Sequence, residues 1–495
     1  MEKIFSLKAV SRALIIGLLY APFLVLFLQL DLPVDSPTWP AAEEWGPSLW
    51  FTLKQAALSS LLSLFFGVIG ALGLCAFNRR GLWLEKVTVL PAALPVLFVL
   101  NSLLYVFQPF PFGLVGISLT HAIMNSGLVA LNLVRIFENK IGGMAELALV
   151  EGARKSTFLK TVVLGYLRSD LLSQFFLVFG LCLLSFAVPL TMSGGHGTTL
   201  EVLIYEKIRI NNSYSQALGL VGVQISVLVL LSLFLGRTPP LKGRTEHNLS
   251  LLGFSWGIAI PGLAVALIVI PFFGAAIQGF NKWKELVPFQ SVFVQAFLGT
   301  LLISLVAGVG TFLLLTVTAL GLPHRTFRQV LNSYVGPGAV IAGFFFLVLT
   351  LRLRVLQGND IWAEVGTGIL IGIGSTGVFF RLRVCEAFDS LSGQYEVAQV
   401  CGANTWLIFR KIVFPQIKSV LWYCAGLSAF WASGDFIYSM IILGGDKTLG
   451  LIVQRLMNSY RLDLAALLSL ILLTLGFALF LVFEQFGKWN SKCLL

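Results

Sequence analysis

The sequence predicts an all-α polytopic membrane protein with about 12 transmembrane helices, arranged as two tandem halves of six helices each. Hydrophobic residues make up 57% of its 495 residues and charged residues 12%, whereas a soluble domain has about 25% charged residues. Apolar runs long enough to cross a bilayer as helices recur along the whole chain. An internal repeat divides these runs into two halves. Because the runs are continuous rather than alternating, a transmembrane β-barrel is excluded.

Span positions follow the apolar runs, and we interpret the first run as a retained span rather than a signal peptide. The predicted spans cover residues 13–30, 49–77, 87–108, 117–137, 170–192, 214–236, 250–278, 291–320, 330–351, 363–383, 419–443 and 462–483. An even number of spans places both termini on the same side of the membrane. With the N-terminus inside, 24 of the 34 Lys and Arg residues fall in the inner segments and 10 in the outer segments. The positive-inside rule therefore predicts cytoplasmic N- and C-termini.

Two polar segments interrupt the apolar pattern at equivalent positions of the repeat. Residues 146–167 read ELALVEGARKSTFLKTVVLGYL, and residues 396–417, at an offset of 250, read EVAQVCGANTWLIFRKIVFPQI. Residues that recur in register include Glu146 and Glu396, Ala148 and Ala398, and Gly152 and Gly402. A repeat of this length indicates two copies of one structural unit.

The repeat divides the chain into parallel halves, because an even number of spans per half preserves the orientation of the second half. The polar stretch RTPPLKGRTEH at 237–247 joins them. The predicted bounds are 1–245 for the first half, with its core at about 49–236 and its repeated loop at 138–169, and 246–495 for the second half, with its core at about 291–483 and its repeated loop at 384–418.

Each repeated loop is predicted to form a helix–turn–helix hairpin that projects into the cytoplasm. Gly402 suits the left-handed position that ends a short helix. Asn404 or Thr405 can cap a second helix, and Pro415 marks the start of the next span. The alternative for either loop alone is an amphipathic segment lying on the membrane surface. Two loops in one register favour a pair of projections on which two copies of a soluble partner dock.

These loops resemble the cytoplasmic loop of bacterial ABC-importer permeases. The motif of that family runs Glu-Ala-Ala, three residues, Gly, and about nine residues later Ile-x-Leu-Pro. The matching residues here are Glu396-Val-Ala398, Gly402 and Ile412-Val-Phe414-Pro415, and in the first half Glu146-Leu-Ala148, Gly152 and Val162-Val-Leu164-Gly165. The resemblance implies a type I ABC-importer-like fold whose two loops couple to an ATPase. It assigns coupling to Glu146, Ala148, Gly152, Glu396, Ala398, Gly402 and Pro415.

Both loops depart from the family motif. Leu147 and Val397 replace the first alanine of each triplet, and Gly165 stands where the motif has a proline. Because the second loop keeps Pro415, we expect it to be the more rigid of the two and the first loop to dock less tightly.

The arrangement of two halves in one chain resembles the ferric-iron and thiamine importer permeases. Residues 185–208 and 434–461 look most like the thiamine members. The resemblance implies a permease of the bacterial inner membrane whose cargo is a small solute, with thiamine first and ferric iron next. It also implies two copies of a cytoplasmic ABC ATPase and an external solute-binding protein as partners, besides the lipid bilayer and with no nucleic acid.

The sequence contains no phosphate-binding loop of the GxxxxGK[ST] type. The most similar stretch, GGDKTLG at 444–450, has an aspartate between the glycines and the lysine and lies in a predicted outer segment. We therefore expect no enzymatic activity and no cofactor in this chain, with ATP and Mg²⁺ bound by the partner ATPase. The six cysteines are single and form no CxxC pair, so no metal site is expected.

Polar residues inside the predicted spans are the candidates for the transport pathway. Asp435 is the foremost, since an acid within a span is costly and a cationic cargo would favour it; the alternative is that it satisfies neighbouring backbone. Asn101 is a second candidate, although hydrogen bonding between helices is the commoner role and is the one we expect for His121. Pro91 and Pro95 are predicted to kink the third span.

Two other functional classes remain as alternatives. An ion-coupled secondary transporter of 12 spans would need no ATPase, but it would need titratable groups within the membrane, and few acids lie in the predicted spans. An enzyme embedded in the membrane is the weaker alternative, since the sequence shows no paired carboxylates, metal-ligand spacing or nucleophile triad.

Overall fold

The computed structural model of the chain describes residues 2–27, 41–77, 82–235, 247–332, 336–353, 360–379 and 383–492. Every regular element within those ranges is a helix, and none is a strand. The predicted all-α polytopic class is thereby confirmed.

The described helices before the connection between the halves are mostly long, and short ones occur where spans break. They are α1 (Glu2–Tyr20), α2 (Ala42–Cys75), α3 (Leu82–Ala93), α4 (Val96–Val106), α5 (Leu114–Val150), α6 (Lys155–Phe158), α7 (Leu164–Tyr166), α8 (Arg168–Leu183), α9 (Ala187–Met192), α10 (Leu200–Arg209) and α11 (Tyr214–Leu235). A 3₁₀ turn at Ala21–Phe27 extends α1, and a π-helical turn at Leu159–Val163 joins α6 to α7.

The second part of the chain follows a similar order. Its helices are α12 (Ala259–Asn281), α13 (Gln290–Gly321), α14 (Arg325–Asn332), α15 (Ala339–Leu353), α16 (Asp360–Phe379), α17 (Cys385–Asp389), α18 (Ser392–Val400), α19 (Thr405–Ile408), α20 (Phe414–Ser433), α21 (Ile437–Ile442), α22 (Leu449–Asn458) and α23 (Leu462–Lys492). Short 3₁₀ turns precede α12 and α13, and a π-helical turn at Phe409–Val413 joins α19 to α20.

Seven helical stretches within the described ranges are long and apolar enough to cross a membrane, and two bent helix pairs raise the number to nine. The seven are Ala42–Cys75, Leu114–Val150, Tyr214–Leu231, Ser255–Asn281, Trp283–Gly321, Ile361–Phe379 and Leu462–Lys488. By length and composition, the described residues thus account for seven to nine of the 12 predicted spans. The predicted spans at 13–30, 330–351 and 419–443 are not among the nine, and the first two include residues 28–30 and 333–335, which lie outside the described ranges. Ala339–Thr350 is short, and α20 begins with polar residues that belong to the second repeated loop.

The third predicted span is two helices rather than one kinked helix. The axes of α3 and α4 differ by 88°, and the break falls at Leu94 and Pro95. Proline has no backbone N–H and disfavours helical geometry in the preceding residue, so α3 ends before Pro95 and α4 starts after it. Pro91 lies inside α3. The predicted effect at Pro95 is thus correct in position but larger than a kink.

The repeat seen in the sequence is also present in the backbone. Left-handed glycines occur as the pairs Gly152 and Gly402, Gly194 and Gly444, and Gly195 and Gly445, each at an offset of 250. The two π-helical turns are related by the same offset. The two parts of the chain therefore share local geometry where their sequences have diverged.

A buried threonine tethers an equivalent helix start in each half. Thr52 Oγ1 accepts a hydrogen bond from the backbone N–H of Leu200 at 2.8 Å, and Thr300 Oγ1 accepts one from Leu449 at 3.0 Å. Both threonines also donate to a carbonyl of their own helix. These bonds join α2 to α10 and α13 to α22, and they satisfy backbone donors that lie away from water.

The first helix of each half packs on the other half. Ile15 and Leu19 of α1 are buried in a cluster with Leu315 of α13. In the reverse direction, Phe272 of α12 stacks on Phe98 of α4, with ring centroids 3.5 Å apart. These reciprocal apolar contacts hold the two parts of the chain together.

The predicted boundary between the halves, at 245 and 246, lies outside the described residues and stays a prediction. The residues that follow it pack on the first half. Leu249, Leu251 and Leu252 are buried in one cluster with residues of α2 and α5. The second half, as defined by sequence, thus begins with a segment that belongs structurally to the first.

Replacing either threonine tether with its isostere should destabilise the fold. Thr52→Val or Thr300→Val leaves a buried N–H unsatisfied, which costs about 1–3 kcal/mol, so we expect a lower unfolding temperature in detergent for both. Thr316→Val is the control, because Thr316 Oγ1 bonds only its own helix carbonyl, at Phe312. Unchanged unfolding temperatures for Thr52→Val and Thr300→Val would contradict the tether.

Candidate functional site

The repeated loops form two hairpins at one end of the bundle, which we call the first hairpin (146–167) and the second hairpin (396–417). The first hairpin's incoming arm is the end of α5, and the second's is α18. With 37 residues, α5 is about 55 Å long, whereas the apolar core of a bilayer is about 30 Å thick. The end of α5 that carries the first hairpin therefore projects beyond the bilayer.

Both hairpins turn by the same hydrogen-bonded motif. Gly152 has φ +69° and Gly402 has φ +79°, a conformation that glycine adopts at little cost. The N–H of the residue after each glycine bonds the carbonyl five residues earlier, from Ala153 to Ala148 at 2.8 Å and from Ala403 to Ala398 at 3.0 Å. This is a Schellman ending. It explains why the motif spaces its second alanine and its glycine four residues apart.

The helices that leave the two turns begin differently. Asn404 caps α19, and its Oδ1 accepts a hydrogen bond from the N–H of Leu407 at 2.8 Å, as the sequence predicts. The equivalent residue in the first hairpin is Arg154, whose side chain makes no capping bond. An Asn cap contributes about 1 kcal/mol, so the second hairpin has the more stable exit from its turn.

Each hairpin has one continuous arm and one broken arm. In the first hairpin α5 enters without a break, but the outgoing chain bends by 74° before α8. In the second hairpin the incoming helices α17 and α18 are short, whereas the π-helical turn runs directly into α20, with Pro415 in its first turn. Pro415 therefore lies where proline is compatible with a helix, and Gly165 lies just before the bend.

Polar contacts brace the arms of each hairpin. Lys140 Nζ of α5 forms an ion pair with Asp170 of α8 at 2.7 Å. Gln416 Nε2 donates to Gln394 Oε1 at 2.8 Å across the second hairpin. These contacts occupy different repeat positions, so the two hairpins have the same backbone turn but different side-chain braces.

The two motif glutamates have different surroundings. Glu146 Oε1 accepts a hydrogen bond from the N–H of Asn248 at 2.7 Å, and Oε2 lies 3.2 Å from His247 Nδ1. These bonds hold the pKa of the Glu146 carboxyl, which lies beyond the predicted end of its span at residue 137, below its ordinary value. Glu396 is exposed, and within the described part of the chain its carboxylate has no hydrogen bond or ion pair.

Apolar side chains project from both hairpins next to the glutamates. Val150 is 83% exposed and the equivalent Val400 is 89% exposed, and Leu147 and Val397 are also exposed. Exposed apolar residues clustered on a hairpin mark an interaction surface. In the sequence, Leu147 and Val397 are departures from the loop motif, and no role was predicted for Val150 and Val400. Their recurrence at an offset of 250 was the available signal.

Asp435 lies in the break between α20 and α21, far from the hairpins. Its carboxylate accepts hydrogen bonds from the backbone N–H of Tyr438 at 3.4 Å and of Ser439 at 3.2 Å, and from Ser439 Oγ at 3.3 Å. Asp435 therefore caps α21. The equivalent residue, Ser185, lies in the matching break and is 3.0 Å from His121 Nε2. His121 also contacts Ser59 at 3.2 Å, the helix-to-helix role expected for it.

The broken helices of the two halves meet. Trp431 Nε1 donates to the carbonyl of Ala93 at 3.2 Å, and a Cβ on Gly434 would lie 2.4 Å from Pro95. Asn101 of α4 is fully buried and donates from Nδ2 to the carbonyl of Leu462 at 3.2 Å. Asp435 and Asn101 are thus both placed near contacts between the halves, where discontinuous helices are typical of a translocation pathway.

A cavity of about 310 Å³ opens between the halves at the end of the bundle away from the hairpins. It is lined by Tyr205, Arg209, Met440, Gly444, Gly445, Leu451, Gln454 and Arg455. Arg455 forms an ion pair with Asp446 at 2.5 Å. Among the described residues no group of three His, Cys, Asp or Glu side chains could hold a metal ion.

Changing the capping residues should shift the local stability of the hairpins. We expect Asn404→Ala to increase amide hydrogen exchange at 405–409 by about fivefold, which corresponds to the loss of about 1 kcal/mol. Arg154→Asn should slow exchange at 155–159 by introducing the missing cap. Hydrogen-exchange mass spectrometry of the detergent-solubilised protein measures both effects. Identical exchange in wild type and Asn404→Ala would contradict the capping role.

Comparisons with known proteins agree with this geometry. Residues 330–492 match the sequence model of the family described as binding-protein-dependent transport system inner membrane component. The chain is 28% identical to the thiamine transport system permease protein of Escherichia coli, over 97% of this chain and 96% of the relative. The corresponding protein of Brucella abortus is 25% identical, over 94% and 93%, and that of Haemophilus influenzae 24% identical, over 86% of each.

No solved structure matches the chain. The sequence relatives align along almost its whole length, so the similarity includes both hairpins and the break at α20 and α21. The family domain covers the second hairpin, and the repeated backbone geometry extends the same architecture to the first. Residues 330–492 therefore carry the domain of the binding-protein-dependent transport system inner membrane component family, and the chain as a whole is similar to multi-pass inner membrane permeases.

Proposed function

We propose that the chain is the permease subunit of an ATP-driven importer and forms the pathway for thiamine delivered by an external binding protein. The observation that carries this proposal is the pair of hairpins with one turn geometry at one end of the bundle. The cargo assignment is supported by relatives named as thiamine transport permeases over most of the chain.

The partners follow from the two hairpins. Each hairpin binds one copy of a cytoplasmic ABC ATPase, which holds ATP and Mg²⁺, while this chain breaks no covalent bond and binds no cofactor. The hairpins lie in the cytoplasm together with both termini, as the distribution of Lys and Arg favours. The cavity near Arg209 and Arg455 then opens to the outside, where the binding protein docks.

The second hairpin is built as a lever. Its outgoing arm continues into α20 without a break, and the 20 residues of that helix extend about 30 Å to the break that contains Asp435. Closure of the ATPases on ATP displaces the hairpin, and a rigid helix transmits the displacement to the contact between the halves. The halves then rock around the pathway between inward-open and outward-open states.

Breaking the turn of the second hairpin should abolish ATP-dependent thiamine uptake. Gly402→Pro cannot reach φ +79° and removes the N–H that bonds Gln399, and Glu396→Lys reverses an exposed charge. The measurement is uptake of labelled thiamine by proteoliposomes that contain the permease, the ATPase and the binding protein. Gly393→Ala is the control, because Gly393 lies in α18 with open space around it.

Normal ATPase association and uptake in Gly402→Pro and Glu396→Lys would contradict the coupling role of the second hairpin. The same proteoliposomes test the alternative of an ion-coupled transporter. Uptake that requires an imposed proton or sodium gradient and proceeds without ATP would replace the importer proposal.

Docking of the ATPase should shield the tip of the second hairpin. Cys401 is exposed, and the other described cysteines are buried, so maleimide labels this site selectively among them. We expect the ATPase to slow labelling of Cys401 by about tenfold or more, and to slow labelling of Glu151→Cys, the equivalent site in the first hairpin. Equal labelling with and without the ATPase would argue against docking at these tips.

Asp435 and Asn101 are the proposed pathway residues, and the role of Asp435 can be separated from its capping of α21. Asp435→Asn keeps an acceptor oxygen for the cap but removes the charge. We expect it to raise the KM for thiamine, a cation, by about tenfold, the loss of one charge-assisted contact, with little change in the unfolding temperature. An unchanged KM would restrict Asp435 to its capping role.

A further inference from the structure

Residues 247–254, which we call the connector segment, bind the incoming arm of the first hairpin. The backbone N–H of Asn248 donates to Glu146 Oε1 at 2.7 Å, and His247 Nδ1 lies 3.2 Å from Oε2. The His247 ring rests on Gly142, one turn earlier on α5, where a Cβ would come within 2.5 Å of the ring. Gly142 and Glu146 lie on one face of α5 and together form the surface to which the connector segment binds.

The connector segment also binds the outgoing side of the turn. Lys155 Nζ donates to the carbonyl of Gly253 at 2.9 Å and lies 5.7 Å from the centroid of the Phe254 ring, within the range of a cation–π interaction. Glu146 and Lys155 flank the turn at Gly152. The segment therefore fixes both sides of the first hairpin with charge-assisted contacts.

Backbone contacts anchor the connector segment to the bundle. The N–H of Phe254 bonds the carbonyl of Leu72 at 3.0 Å, and a Cβ on Gly253 would lie 2.5 Å from the backbone of Ala76. The chain then continues through a 3₁₀ turn into α12. On α12, Gly279 packs against the carbonyl of Asp463 in α23. The connector segment, which contacts the first hairpin, thus continues along the chain into α12, a helix packed against α23 of the second half.

The second hairpin has a different arrangement. Glu396 is exposed and, within the described part of the chain, takes part in no hydrogen bond or ion pair. The residue before it, Tyr395, receives a hydrogen bond from Lys8 Nζ of α1 at 3.3 Å. The second hairpin is thus also contacted by the other half, through Lys8, but this contact leaves the Glu396 carboxylate accessible.

We propose that Glu146 is a positioning residue, held by the connector segment, which ties the first hairpin to the second half through α12. This inference rests on the proposed function, because the hairpins are taken to bind ATPase subunits. Glu396 instead offers its carboxylate to the ATPase. The two hairpins are therefore unequal docking sites, because Glu146 binds the connector segment of the permease itself whereas Glu396 is available to the ATPase.

The test compares Glu146→Gln with the matched Glu396→Gln in permease reconstituted into nanodiscs and proteoliposomes. Glu43→Gln is the control, because Glu43 is exposed at the start of α2, whereas the connector segment contacts the end of that helix. The readouts are the affinity for the purified ATPase from the same organism and the thiamine transported per ATP hydrolysed. We expect Glu396→Gln to weaken ATPase affinity about tenfold. Glu146→Gln should keep affinity within about twofold of wild type but transport several times less thiamine per ATP.

Variants of the connector segment separate positioning from general stability. His247→Ala and Lys155→Ala should lower the thiamine transported per ATP, as Glu146→Gln does. The Glu146→Gln/His247→Ala double variant should transport no less thiamine per ATP than the more affected single variant, because the two groups share one contact. Equal loss of ATPase affinity in Glu146→Gln and Glu396→Gln would overturn the inference. Unchanged transport per ATP in Glu146→Gln would also overturn it.

A further readout distinguishes this inference from the proposed function. If the wild-type permease binds no ATPase, the proposed function fails. Hydrogen exchange of residues 142–158 still tests the positioning contact, since it needs no partner. Faster exchange there in Glu146→Gln than in wild type supports the contact, and identical exchange overturns it.

Discussion

The bilayer imposes one constraint on which the rest of this structure depends: a backbone N–H or C=O inside it has no water to bind. The chain nevertheless breaks several helices within the bundle, and each break needs a partner for the freed groups. Asp435 supplies acceptors for the N–H groups that begin α21. Thr52 and Thr300 do the same for α10 and α22. Breaks are thus confined to places where a side chain or another helix can satisfy them.

The breaks also fall on different arms of the two hairpins. Helices without a break transmit displacement over their whole length, whereas a break concentrates a change of angle at a few residues. In the first half the continuous helix enters the hairpin, and in the second half the continuous helix leaves it. The two halves therefore have their continuous helix on opposite arms of the same motif, although their turns at Gly152 and Gly402 have the same hydrogen bonds.

Much of the fold and of the hairpins could be predicted from the sequence, because the signals are local. The spacing of Ala398 and Gly402 encodes a helix ending, and Asn404 encodes a cap, within a few residues. The sequence predicts a kink at Pro95, whereas the helix axes differ by 88°, because proline determines where a helix is interrupted but not the angle between the two helices. Length and composition identify up to nine of the 12 predicted spans in the described residues.

Contacts between distant segments could not be predicted in this way. Nothing local to Glu146 indicates that His247 will bind it, since the two residues are 101 positions apart in sequence and the contact depends on how the halves pack. Asp435 was predicted as a residue of the pathway or a cap, and only the geometry of the break at α21 shows that it caps a helix. Side chains with two plausible roles are resolved by their neighbours in space, which a single sequence does not contain.

The joining of both hairpins in one polypeptide has a consequence for how such a protein can change. In a symmetric dimer of identical chains, every substitution appears on both faces, so neither docking site can be altered alone. A duplicated and fused gene removes that restriction. The side chains around Glu146 and Glu396 have been free to diverge separately, and one copy of the motif could be recruited to hold the molecule together while the other kept its outward role.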